Sequence, residues 1–164
     1  MKPLGRLLSN MLLGVLLLAA SAAQAQGRFQ FDTAPGYLSK QVVPTRYELK
    51  LDLDPARSTF TGQAHIALRV RAPVPSIELH AFGLSAAGAH LLSARSARLL
   101  NVVPLPDTQS WRLEPMDGLP IPPGEYRLEI AYAGKVNVAG EGLFVVPYEA
   151  AGRKQRSLAT ELQA

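Results

Sequence analysis

The feature that most constrains this chain is a two-residue alternation running from Pro44 to Val70. Tyr47, Leu49, Leu51 and Leu53 alternate with Glu48, Lys50, Asp52 and Asp54. An extended strand sorts such a stretch into one apolar and one wet face, whereas a helix would scatter both sets around its axis. Asp54-Pro55-Ala56-Arg57-Ser58 is a cluster of turn formers. After it, Phe60, Gly62, Ala64, Ile66, Leu68 and Val70 make a second row, with Thr61, Gln63, His65, Arg69 and Arg71 on the other side and Ala67 breaking the polar pattern. The two stretches predict an antiparallel hairpin with one face on a core, and Tyr47, Leu49, Leu51 and Leu53 are expected to point inward.

Composition agrees with a globular chain. Of the 164 residues, 48% are hydrophobic and 18% charged, enough to bury a core in one domain. With no Cys there is no disulfide framework, thiol nucleophile or thiolate metal site. The net charge is +4, but Lys2 and Arg6 sit in a leader, and without them the balance is 15 basic against 13 acidic. No basic run interleaved with aromatics occurs, so no nucleic-acid footprint is read. Arg153-Lys154-Gln155-Arg156 reads as a solvated loop.

Residues 1–25 have the form of a cleavable signal peptide. Lys2 and Arg6 precede the apolar run Leu12 to Ala20, and Ala23-Gln24-Ala25 is a small-x-small cleavage site. That run is short for a membrane span, so no stable span is expected after cleavage, and the mature protein is expected to be periplasmic or secreted. Residues 26–40 lack sustained periodicity and read as a flexible lead-in, leaving 41–164 as the domain. Short strands are read at Ser76–Ala81, His90–Ser93, Ala97–Val103 and Ser110–Leu113. In Glu125–Tyr132, Tyr126, Leu128, Ile130 and Tyr132 point inward, and Gly140–Tyr148 is followed by a hydrophilic loop over Glu149–Arg156. A final strand is read over Ser157–Ala164, with Glu161 and Gln163 on one face. Many short strands and no convincing helix give an all-β fold, an antiparallel β-sandwich or saddle-like double sheet.

The residues supply no catalytic constellation. His65, His80 and His90 are 15 and 10 residues apart, so no pair has the spacing of a metal-binding helix. His80 reads as a strand-end histidine bonded to backbone. There is no G-x-S-x-G elbow and no Gly-rich phosphate loop.

Several segments, in order, resemble one family. These are P-x-x-Y-x-L-x-L from Pro44, F-x-G-x-x-x-I-x-L-x-V from Phe60, I-x-L-H-A from Ile77, P-x-G-x-Y-x-L-x-I-x-Y-x-G from Pro122, and Gly142-Leu143-Phe144 with Tyr148. The series is similar to the N-terminal β-domain of M1-family zinc aminopeptidases, the aminopeptidase N and leukotriene A4 hydrolase groups. The resemblance covers roughly Leu38 to Ala164.

It implies a metallo-aminopeptidase parent that removes N-terminal residues from peptides, with zinc held by the parent and none by this chain, and the leader adds the expectation of export. Thr160-Glu161-Leu162-Gln163-Ala164 resembles the family's T-Q-(apolar)-E-A segment. By that resemblance Gln163, with Glu161, helps bind the free amino terminus of the substrate. Family members carry Glu or Gln at the position of Gln163 and usually Gln at the position of Glu161, so this chain departs from the usual choice at Glu161. The family's H-E-x-x-H and G-x-M-E-N motifs are absent. The chain is therefore expected to be an inactive N-terminal piece, cut short by a fragmentary gene record or early stop. Its expected partners are a peptide substrate and the missing catalytic domain. Two other readings stay open: a free-standing exported β-sandwich binding module, and an M1 homologue whose downstream domain has lost its zinc ligands.

Processing is the first testable consequence. Signal peptidase should cut after Ala25 and leave Gln26 as the first residue. Intact-mass analysis of exported protein checks this, and a mature species retaining Met1 to Ala20 contradicts it.

Overall fold

The period-two segments all become strands. The computed structural model describes residues 30–54, 56–140 and 142–161. The expected signal peptide, the start of the lead-in and Gln163 lie outside the described residues. The described strands are β1 (Val42–Asp54), β2 (Thr59–Val70), β3 (Ile77–His80), β4 (Leu84–Leu92), β5 (Ala97–Leu105), β6 (Ser110–Pro115), β7 (Gly124–Lys135), β8 (Gly142–Ala150) and β9 (Arg153–Glu161). A 3-10 turn, Pro106–Thr108, separates β5 from β6. The fold is all-β, as expected. Its form is one curled antiparallel sheet of seven strands in the order β1-β2-β7-β4-β5-β6-β3, with β8 and β9 as a separate two-stranded sheet.

Two long strands make the centre. β2 and β7 pair over their whole length, from Thr59 opposite Lys135 to Val70 opposite Gly124. Directly opposed residues share a face, so Ala64, Ile66 and Leu68 line up with Ile130, Leu128 and Tyr126. β4 continues the row with Ala89 and Leu91, both buried. Across the curl, Ile77 of β3, Leu100 of β5 and Trp111 and Leu113 of β6 belong to the same core. Val74 and Ile121 close it. They bridge the segment after β2 to the segment before β7, with mutual backbone hydrogen bonds of 3.1 and 2.8 Å.

Local chemistry sets the connections. The Asp54–Ser58 turn forms as expected. Asp54 Oδ1 accepts the backbone N–H groups of Ala56 and Arg57, each at 3.1 Å. The loop after β6 is held by Arg98. Its Nε donates to Asp117 Oδ2 at 2.9 Å, its Nη2 pairs with Asp117 Oδ1, and further bonds reach the carbonyls of Leu119 and Pro120. The guanidinium, joined by the Leu119 N–H, holds the Asp117 carboxyl below the usual carboxylate range.

Three expectations need correction. The Tyr47–Leu53 row is not inside: Tyr47 is 59% exposed, Leu49 62%, Leu51 44% and Leu53 43%. These residues do share the face of Ile66, Ala64, Gly62 and Phe60, as the register shows. But β1 is the outer strand, and alternation reports which residues share a face, not whether anything lies over it. Second, β4 is longer than expected, because a bulge between Ala86 and Gly88 shifts its register with β7 and breaks the alternation. Third, Glu149–Arg156 is not a loop. Ala151 and Gly152, at φ 51° and 71°, make a two-residue turn, and β9 starts at Arg153. Ala at a positive φ hides this hairpin from a reading that looks for Asn or Asp before Gly.

The difference between the two leucine rows is measurable. Leu113, fully enclosed, should lose roughly 2–5 kcal/mol of stability on substitution by Ala. Leu49→Ala should change it by no more than about 0.5 kcal/mol in dilute solution. Denaturant unfolding of both variants checks the pair, and a large loss at Leu49 would put β1's row back inside.

Candidate functional site

The sequence places its candidate residues at the end of β9, so the surroundings of that end form the candidate site. β8 and β9 pair from Ala150 opposite Arg153 to Gly142 opposite Glu161. Gly142 sits at φ 64°, a left-handed backbone that glycine enters without steric cost. The hairpin is fastened at this end by Asn137, which forms a parallel bridge to Phe144. Its N–H donates to the Leu143 carbonyl at 2.8 Å, and its carbonyl accepts from Val145 N–H at 3.0 Å. Midway along β9, Arg156 Nη2 donates to Ser58 Oγ at 3.0 Å.

Between the hairpin and the end of the large sheet lies a groove of about 870 Å³. Phe60, Phe82, Leu84, Val136, Val138 and Leu143 give it an apolar wall. Its floor depends on a missing side chain: a Cβ on Gly134 would overlap the Phe60 ring. Phe60 in turn meets Tyr132 edge-on, with ring centroids 6.4 Å apart and planes at 84°. Burial pushes the Tyr132 phenol up from its ordinary pKa. Among the described residues, Lys135 is the one titratable group in the lining. Such a groove can hold an apolar group, but these residues supply it with no carboxylate, imidazole or thiol.

Glu161 is exposed at the end of β9, opposite Gly142, itself part of the groove lining. Gln163 lies outside the described residues. His80 ends β3, exposed and opposite Ser110.

The sheet assembles one constellation that spacing alone conceals. His65 of β2 and His90 of β4 both stand opposite Glu129 of β7, and the three line a shallow depression with Gln63. Only the strand order, with β7 between β2 and β4, could have revealed it. Glu129 is engaged by Arg127 Nη2 at 2.7 Å. Among the described residues no three His, Asp or Glu side chains stand so that they could hold a metal ion. The described residues therefore offer no zinc site.

Comparison with known proteins agrees with this architecture. The family model described as the Peptidase M1 N-terminal domain matches residues 43–164, which takes in nearly all of β1 through to the end of β9. An aminopeptidase N from Acetobacter pasteurianus is 30% identical over 157 residues, covering 95% of this chain and 42% of that protein. The chain thus spans about two fifths of the length of the curated relative it matches. An all-β curled sheet, nine described strands and a family match over most of the sequence lead to one assignment: the chain belongs to the M1 peptidase family, as its N-terminal domain.

Proposed function

We propose that this chain is the N-terminal β-domain of an exported zinc aminopeptidase, and that the end of β9 takes part in holding the substrate's free amino terminus. Its membership of the M1 family carries the reading, and the likeness to an aminopeptidase N supports the reaction class. In this reading the zinc, the activated water and the base belong to the catalytic domain of the parent, which the membership of the M1 family and the likeness to an aminopeptidase N support. The leader at residues 1–25 supports export to the periplasm or beyond.

The role of this chain is recognition. Gln163 lies two residues past Glu161 in the sequence, the spacing that puts two residues on one face of a strand. Its amide oxygen accepts a hydrogen bond from the substrate ammonium, with Glu161 adding negative charge nearby. Glu161 stands opposite Gly142 at the edge of the apolar groove, so a substrate amine held there has an apolar surface beside it.

A hydrogen bond to a charged group contributes roughly 1.5–3 kcal/mol. In the full-length parent, Gln163→Ala should therefore lower kcat/KM on free-amine substrates by roughly ten- to a hundredfold. Zinc content and melting temperature should not change. Gln163→Glu should keep or improve amine binding, because a carboxylate adds attraction in a partly desolvated cleft. Steady-state kinetics with parallel metal analysis checks both. If Gln163→Ala matches wild type, the amine-binding role is wrong.

A further inference from the structure

The charges on β1 are ordered in a way that its own sheet does not use. Arg46, Glu48, Lys50 and Asp52 alternate in sign along one exposed face. Across the ladder, β2 offers them Ala67, His65, Gln63 and Thr61, with no carboxylate or guanidinium among them. Their charged neighbours are on β1 itself, Arg46 with Glu48 at 2.5 Å and Lys50 with Asp52 at 4.0 Å, all with side chains more than half exposed. On the opposite face stands the uncovered row Tyr47, Leu49, Leu51 and Leu53. Among the described residues β1 pairs with β2 alone, so its other side presents backbone N–H and C=O groups that can template a further strand.

One partner matches this pattern, namely the same strand reversed. Laid antiparallel about a two-fold axis at Leu49, Arg46 falls opposite Asp52 of a second copy and Glu48 opposite its Lys50. The same two pairs repeat on the other side of the axis, so all four charges meet opposite charges. On the apolar face Tyr47 falls opposite Leu51, and Leu49 opposite Leu49. A slip of two residues one way sets Glu48 against Glu48 and Arg46 against Lys50, and a slip the other way sets Lys50 against Lys50 and Glu48 against Asp52. Like charges directly opposite are destabilising, so these charges fix the register. The bulge at Pro44/Arg46 and the Asp54 turn bound the flat part of the strand to this segment. We infer that β1 is a homodimer edge, on which two copies of this chain pair antiparallel about Leu49 to join their seven-stranded sheets. The interface is isologous, with one patch serving both partners.

Light scattering and sedimentation of the purified, exported chain test this. Wild type should show a concentration-dependent dimer. Glu48→Lys and Lys50→Glu each turn two attractive pairs into repulsive ones and should each weaken it by about tenfold or more. Mixing the two variants should restore it, because positions 48 and 50 of the two copies then carry opposite charges on both sides of the axis. Damage to the fold cannot produce that rescue. The chain has no Cys, so Leu49→Cys should give a disulfide-linked dimer on oxidation, since residues facing each other across an antiparallel ladder come within bridging range. Tyr47→Cys should not, because the two copies of residue 47 would be offset by four residues, about 13 Å. A monomer at all concentrations, a dimer indifferent to Glu48→Lys, or a mixture that does not recover would overturn the inference.

Discussion

The structure depends on the pairing of β2 with β7. These strands are far apart in sequence, yet they oppose each other residue for residue from Thr59–Lys135 to Val70–Gly124. Loop-closure entropy opposes such a contact, and burial of the Ala64–Ile130 and Ile66–Leu128 pairs and their neighbours offsets it. Near one end the register makes two reciprocal arrangements. Phe60 stands opposite Gly134 and Tyr132 opposite Gly62, and each ring occupies space that a Cβ on its partner would need. The rings then meet edge to face, a geometry that contributes roughly 0.5–1.5 kcal/mol beyond area burial. β1 extends this centre on one side. β4, β5, β6 and β3 extend it on the other and curl back to close the core.

Much of this frame is legible in the sequence, and the exceptions have physical causes. The inward rows of β2 and β7 follow from alternation, because both faces of those strands are distinct and one is covered. Alternation reads equally well at β1, but burial there depends on what lies above the sheet, which no local pattern carries. Leu49 therefore has the right face and the wrong environment. β4 is obscured by the bulge near Ala87, and β9 by an Ala-Gly turn in which Ala151 takes a backbone usually left to Gly, Asn or Asp. The His65–Glu129–His90 row required strand order as well as strand identity.

The candidate site was legible only through resemblance. Glu161 and Gln163 are two polar residues in a terminal segment, and their chemistry alone does not distinguish them from Gln155 or Glu149. Structure adds the setting of Glu161: an exposed strand end, a left-handed Gly142 opposite, and an apolar groove alongside. The hairpin is tied through Asn137 and Arg156 to the end of the large sheet. A rigid element of this kind orients a recognition group better than a loop would. In the proposed reading the metal chemistry lies in the catalytic domain and recognition at the end of β9.

That division of labour is the central claim, and zinc stoichiometry with turnover of the isolated chain tests it most directly. Without H-E-x-x-H or a metal-holding cluster among its described residues, the purified chain should take up no stoichiometric zinc and release no product from aminoacyl-anilide substrates. Chelator-sensitive hydrolysis by this chain, with one zinc per protein, would contradict the account.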